Sequence, residues 1–180
     1  MRIETHIPHS EIRNPKSPPR LSIKWPNDII LDGAKLAGIL IESPGGPAPA
    51  KNRVIIGIGI NVNNSWRDPD PAACGLARHR EKPPGAISLC DATGRHHNTQ
   101  QILINILRAL QTRIAQLAAH DPELPTAWQR RCWLTEQDVE VQASTASFEG
   151  ICVGIDRNGS LLVEDEFQTH RIHSGSVRAL

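Results

Sequence analysis

Two extended runs turned back on each other at Asp32-Gly33 constrain this chain more than any other feature. Leu21 to Trp25 reads as a short strand ended by Pro26, and Asp28 to Leu31 continues it in extended form. Asp32-Gly33 is a strong hairpin signal, because Gly takes positive φ freely and Asp tolerates it better than most residues. Lys35 to Glu42 is the return strand. Lys24, Asn27, Asp28 and Lys35 are set among the apolar residues of this unit. A hairpin so decorated can aim cations at a small anionic ligand.

The remaining chain divides by texture. Met1 to Arg20 is broken by Pro8, Pro15, Pro18 and Pro19 and reads as irregular. Ser43 to Asn52 is a Pro/Gly-rich loop. Arg53 to Val62 is a further strand, expected to be buried on both faces because nearly every residue is β-branched or Gly. Asn63 to Arg95 is irregular, with one helical turn over Ile87-Ser88-Leu89. Asn98 or Thr99 caps a helix to about Ala119, with Leu103, Leu107, Leu110, Ile114 and Leu117 on one stripe. Asp121-Pro122 stops it, and Thr126 to Cys132 forms a short helix carrying Trp128. From Leu134, short strands alternate with turns such as Asp156-Arg157-Asn158-Gly159, the pattern of a small β-barrel. The expected divisions are 1–20, 21–133 and 134–180.

Length and composition narrow the function classes. A chain of 180 residues is expected to hold one domain plus a small appendage. A net charge of +1 argues against a dedicated nucleic-acid binder. Cys74, Cys90, Cys132 and Cys152 contain no CxxC pair, and no apolar run is long enough to span a bilayer. The first residues lack the apolar core of a signal peptide. The expectation is a soluble cytoplasmic protein with free thiols, without nucleic-acid or membrane partners.

Read from residues alone, each candidate site keeps two meanings. Lys35 is either a solvated lysine beside a turn or a fixed cation at the end of a sheet. Pro26-Asn27-Asp28 is either an ordinary turn or a polar cluster with Lys24 that meets phosphate or a metal. Gly57-Ile58-Gly59-Ile60-Asn61-Val62-Asn63 lacks the third glycine of a dinucleotide fingerprint, and its glycines lie within a strand. Such glycines mark tight packing or close approach of a ligand, and Asn61 offers both donors and an acceptor. His79, His96 and His97 with Cys74 and Cys90 do not have zinc-site spacing. Arg78 and Arg80 read as a solvated loop, and no nucleophile elbow is present.

The string Lys24-Trp25-Pro26-Asn27-Asp28 with Lys35-Leu36-Ala37-Gly38-Ile39-Leu40 resembles the KWPND…KLAGIL segment of biotin–protein ligases. Gly57 to Asn61 resembles that family's GxGIN strand. Glu149-Gly150-Ile151-Cys152-Val153-Gly154-Ile155-Asp156 through His173-Ser174-Gly175-Ser176-Val177 resembles its SH3-like cap. The resemblance runs from Leu21 to Val177. It implies an α+β fold, in which part of a class II synthetase-like catalytic sheet with a long helix precedes a small SH3-like β-barrel. It implies ATP-dependent formation of biotinyl-5'-AMP and transfer of biotin to a lysine of a biotin carboxyl carrier protein. By the same resemblance Lys35 is the catalytic residue and contacts biotin and the adenylate, and Gly38 borders biotin. Lys24, Asn27 and Asp28 lie by the nucleotide phosphates, and Gly59, Ile60 and Asn61 meet adenine. Biotin, ATP and Mg²⁺ are the implied ligands, with no protein metal ligand assigned.

The family's Arg-Gly-rich phosphate loop, and the strands that precede the KWPND string, have no counterpart in this chain. The expectation is therefore an unpaired sheet edge and an uncovered apolar face, which favour a homodimer or a complementing N-terminal half. The helix-turn-helix of some members also has no counterpart, so repression is not implied. The alternatives are a non-enzymatic carrier-binding module, an inactive remnant, and a lipoyl or octanoyl transferase.

Overall fold

The structure is a computed structural model that describes residues 20–43, 53–65, 85–143 and 147–180. The proline-rich start, most of the loop after Ser43, and Cys74, Arg78, His79 and Arg80 lie outside these residues.

Nine strands and three helices form two antiparallel sheets among the described residues. The first sheet has the order β1-β2-β3-β4, from β1 (Leu21–Lys24), β2 (Asp28–Leu31), β3 (Ala34–Glu42) and β4 (Ile55–Ile60). Asp32 (φ 50°) and Gly33 (φ 80°) make the β2–β3 turn, as their residue types require. Leu21–Lys24 and Asp28–Leu31 are not one continued strand: they pair antiparallel, Leu21 opposite Leu31 and Lys24 opposite Asp28. The reversal occurs in Trp25-Pro26-Asn27, which contains a cis Trp25–Pro26 peptide.

Two further expectations change for reasons of packing. β4 is mostly exposed rather than buried on both faces, with Ile55 at 56% and Ile58 at 37%. It is an edge strand, paired only to β3 among the described residues. A β-branched run records a preference for extended chain, not the presence of a cover. The turn placed at Ile87-Ser88-Leu89 is instead helix α1 (Leu89–Thr93), with Ser88 as N-cap accepting from the Asp91 N–H at 3.1 Å. Ile87 stays extended, because its N–H is taken by the Lys35 carbonyl. With Leu89 and Ala92 of α1, it packs on Leu31, Leu36 and Ala37.

Helix α2 (Thr99–Ala118) is capped by Asn98, whose side chain accepts from the Gln101 N–H. No residue of it is buried, and Leu103, Leu107, Ile114 and Leu117 of its stripe are exposed. Helix α3 (Glu123–Gln129) starts three residues before the expected Thr126. Pro125 is admitted in its first turn, where the missing N–H has no acceptor in the helix.

The second sheet has the order β8-β7-β6-β5-β9: β5 (Asp138–Gln142), β6 (Ser147–Ile155), β7 (Leu161–Glu164), β8 (Thr169–Ile172) and β9 (Ser176–Ala179). Alternation along β5 and β7 drives Val139, Val141, Leu161 and Val163 fully inside, where they meet Leu134, Cys152, Ile172 and Val177. A bulge between Cys152 and Gly154 bends β6, and Gly154 (φ 124°) leaves its Cβ position to the Gln129 side chain of α3.

Among the described residues, one residue carries the first sheet's hairpin into this core. Trp25, 5% exposed, packs into the second sheet's cluster, and its indole N–H donates to the Gly159 carbonyl at 3.1 Å. Beside it, the Ile23 N–H donates to the Arg131 carbonyl (2.7 Å) and the Trp133 N–H to the Ile23 carbonyl (2.8 Å). The turn offering Gly159 is held by Asp156, which accepts from the Asn158 and Ser160 N–H groups and pairs with Arg171 at 2.8 Å. Desolvation opposes ionisation of Asp156, but these N–H groups and the Arg171 charge hold its carboxyl below the ordinary range.

The β7–β8 turn supplies a test of acid stability. Asp165 accepts from His170 at 2.5 Å and from the Phe167 and Gln168 N–H groups, which lower its carboxyl from 3.8 to about 2. Its folded value lies below the unfolded one. Its contribution is therefore present above about pH 4 and is lost as pH falls toward its folded value of about 2. Asp165→Asn is expected to flatten the acid limb of stability in that window. Urea midpoints of both proteins against pH measure it, and parallel curves would refute the assignment.

Candidate functional site

The polar residues of the first hairpin meet in one row across the sheet. Lys24 of β1 is opposite Asp28 of β2, Asp28 is opposite Gly38 of β3, and Gly38 is opposite Gly59 of β4. Residues directly opposite in antiparallel strands present their Cβ positions to the same face. The row is thus charged at one end and bare at the other, since two adjacent glycines leave the backbone open. A Cβ on Gly59 would meet nothing within 4 Å.

Lys35 reaches this row because of a β-bulge. Ile29 pairs with Ala37 but Ile30 pairs with Lys35, so Leu36 is an extra residue. Strict alternation would put Lys35 on the face opposite to Gly38. The bulge instead lays the Lys35 side chain over Gly38, where a Cβ would sit 3.4 Å from Lys35 Cε and 3.6 Å from Asp28 Oδ1. Lys35 Nζ lies 2.5 Å from Asp28 Oδ1, and among the described residues that buried oxygen has no other partner. The backbone of Lys35 is held on its free side as well. Its N–H donates to the Gly85 carbonyl (2.6 Å) and its carbonyl accepts from the Ile87 N–H (3.0 Å). The ammonium therefore projects, half exposed, from a main chain fixed on both sides.

The other expected residues surround the row unevenly. Asn27 is exposed, and its carbonyl accepts from the Ile39 N–H at 2.9 Å. Lys24 lies over the Trp133 ring, 5.7 Å from the centroid. Ile60 belongs to the core cluster under β3. Asn61 is a junction: its N–H donates to the Leu36 carbonyl, its carbonyl accepts from the Leu89 N–H, and its Oδ1 accepts from Asn64. Lys24, Asp28, Lys35, Gly38 and Gly59 are thus brought together, while Asn27 and Asn61 stand at the margins.

Sequence reasoning missed Trp133, which supports Lys24, and the role of Trp25. No periodicity signals either, because both act across the two sheets. Among the described residues no group of three or more His, Cys, Asp or Glu could hold a metal ion, and His96 and His97 form no such site. A concavity of about 960 Å³ lined by Asp138, Glu149, Ile151, Glu164, Glu166 and Phe167 includes none of the row residues.

The profile described as the biotin/lipoate A/B protein ligase family matches residues 14–61, and that of the biotin protein ligase C-terminal domain matches residues 136–178. The chain is 34% identical over 145 residues to a biotin--[acetyl-CoA-carboxylase] ligase of Paracoccus denitrificans, covering 80% of this chain and 57% of the relative. It is 31% identical to the bifunctional ligase/repressor BirA of Bacillus subtilis, covering 86% of this chain and 45% of that protein. The chain thus spans about half the length of the curated relatives it matches. The fold is similar to that of the biotin protein ligase from Aquifex aeolicus, with a TM-score of 0.71 at 23% identity over 89% of this chain and 66% of the other. A related structure of that protein, TM-score 0.69, is a complex with biotin and ATP.

Proposed function

This chain belongs to the biotin protein ligase family, and on that premise we propose that it supplies the Lys35 centre and the C-terminal barrel of an ATP-dependent biotin–protein ligase. The observation that carries this reading is the bulge that lays Lys35 over Gly38 and against Asp28. The first reaction brings the biotin carboxylate to the α-phosphorus of ATP, forming biotinyl-5'-AMP and releasing pyrophosphate. Anion meets anion, so a fixed cation lowers the barrier. Lys35 is that cation, and the Asp28 carboxylate holds it in place before substrate arrives. In the second step the ε-amine of a carrier lysine attacks the acyl carbon, the amide forms, and AMP leaves with the bonding electrons.

In this reading Gly38 and Gly59 give biotin and the nucleotide a flat backbone floor. Lys24, Asn27 and Asp28 border the phosphates, and Gly59, Ile60 and Asn61 border adenine. Mg²⁺ takes one or two carboxylates plus phosphates and water. Asp28 is the carboxylate in reach here, and it is committed to Lys35. The ion would be held mainly by the ATP phosphates, where it offsets their charge. The partner is a biotin carboxyl carrier protein, and the division between catalytic and SH3-like parts falls at 133/134. The exposed faces of β4 and α2 support a requirement for the remainder of the relatives' length in full turnover.

Gly38→Val tests the floor. Valine suits a strand, so the unfolding free energy from urea titration is expected to stay within about 0.5 kcal/mol of wild type. Biotin affinity is expected to fall by roughly tenfold or more, because the branched side chain displaces Lys35 from Asp28. Unchanged affinity would remove Gly38 from the site.

The direct test is ATP-dependent transfer of biotin to a carrier domain, by this chain alone and with the remaining family segment supplied. Transfer in either case that depends on Lys35 supports the ligase. Carrier binding with no transfer under both conditions would establish the binding-module reading instead. Preference for lipoate would place the chain with the lipoyl and octanoyl transferases.

A further inference from the structure

Asn61 follows β4 on a main chain that is tied down at each residue. Its N–H donates to the Leu36 carbonyl (3.0 Å), and its carbonyl accepts from the Leu89 N–H (3.0 Å). The Val62 carbonyl accepts from the Cys90 N–H (2.8 Å). The Asn63 side chain closes the segment, because its Nδ2 donates to the His97 carbonyl (2.8 Å) and its Oδ1 accepts from the His97 N–H (2.9 Å). The direction of the Asn61 side chain is set as well. Ile60 packs with Leu31, Leu36 and Ala37. Alternation therefore gives Gly59 and Asn61 the opposite face, which is the face of the site row.

Asn64 acts on that side chain. Its Nδ2 donates to Asn61 Oδ1 at 3.1 Å, and both residues are half-buried. A primary amide has an acceptor end and a donor end of nearly the same shape, and its hydrogen bonds tell them apart. This bond turns the acceptor end of Asn61 toward Asn64. Among the described residues Asn61 Nδ2 has no hydrogen-bond partner, and it is open to solvent.

We propose that Asn64 is a positioning residue for nucleotide choice: by holding the Asn61 amide in one direction, it makes the site take a 6-aminopurine triphosphate over a 6-oxopurine one. The proposal rests on the reading that Asn61 borders the base. A 6-aminopurine places a donor at its 6-amino group beside an acceptor at N1. A 6-oxopurine exchanges the two, since O6 accepts and N1–H donates. An amide of fixed direction matches one of these edges and opposes the other. Asn61 offers its N–H groups to the ring acceptor, and its Oδ1 keeps a second lone pair for the 6-amino group. Turned round, the same amide would suit the oxo edge. Asn61 meets the base, and Asn64 acts only through Asn61.

The test is calorimetric titration of the full chain with ATP and with inosine triphosphate, alone and with the remaining family segment supplied. The two nucleotides differ at position 6 and in the N1 proton, so the ratio of their affinities isolates this edge. The unaltered chain is expected to prefer ATP by roughly tenfold or more. Asn64→Asp sets an acceptor-only group against Asn61, which must then turn its Nδ2 toward the carboxylate and its Oδ1 toward the base. The preference is expected to fall by roughly tenfold or more. The added charge repels both triphosphates alike and cancels in the ratio. Asn64→Ala only releases the amide and is expected to lower the preference by about threefold. Should Asn64→Asp fail to give a native circular-dichroism spectrum, Asn64→Ala decides. A merely structural role for Asn64 would weaken both nucleotides equally. An unchanged ratio in the folded variants, or no preference in the unaltered chain, would overturn the proposal while ATP binding leaves the ligase reading standing. Absence of ATP binding under both conditions would overturn the two together.

Discussion

Replacing Lys35 with alanine is expected to lower biotinyl-adenylate formation by about 10²–10³-fold, the usual cost of removing one preorganised group that stabilises developing charge. Affinity for a non-hydrolysable biotinyl-adenylate analogue should fall by about 1.5–3 kcal/mol, on the order of tenfold to a hundredfold. The fold should change little. Lys35 is 50% exposed on its side chain, and so open an ion pair contributes roughly 1 kcal/mol at most. The variant does leave Asp28 Oδ1, a buried oxygen, without its partner. Lys35→Arg should also be impaired, because a planar guanidinium cannot reproduce a compact ammonium lying over Gly38. Pyrophosphate exchange and calorimetric titration with the analogue measure both effects. Wild-type values for Lys35→Ala in both assays would remove Lys35 from the chemistry.

The second large effect concerns stability. Trp25→Ala is expected to cost about 3–5 kcal/mol, since it empties a large space in a packed core. That is a large fraction of what holds a domain of this size together. It should also separate the two sheets, because Trp25 belongs to the first sheet's hairpin and packs in the second sheet's core. Trp25→Phe keeps much of the volume but loses the hydrogen bond to the Gly159 carbonyl, for about 1 kcal/mol. Urea unfolding followed by circular dichroism tests both. A small effect of Trp25→Ala would mean that the two sheets stand independently. Trp25 therefore explains physically why a tryptophan sits between the Lys24 and Asp28 ends of the site row: it anchors the row to the barrel.

Much of the local structure was legible because its causes are local. Asp32-Gly33 specifies its own turn, Asn98 caps its own helix, and the alternation of β5 and β7 assigns their inner faces. The site was partly legible for the same reason, since Lys24, Asp28, Lys35 and Gly38 lie within one hairpin unit. Three features were not. The reversal at Trp25-Pro26-Asn27 turns one expected strand into two, and a proline alone does not distinguish a stop from a turn. The bulge at Leu36 depends on pairing with β2, which Leu36 does not encode by itself. The exposure of β4 depends on what lies against it, and an apolar run reads alike with or without a cover.

The sequence by itself determined the turns, the caps, the two-sheet division of the elements and the set of residues able to carry charge to a ligand. Only the tertiary structure decided that Lys35 lies over Gly38 against Asp28 and that Trp25 anchors the row in the other sheet's core. The reason is the range of the forces. Backbone preference and side-chain period act within a few residues, whereas register is set by the pairing of one strand with another, and the shared core joins Trp25 to residues more than a hundred positions away. No local window of the sequence contains both Trp25 and the core that it enters.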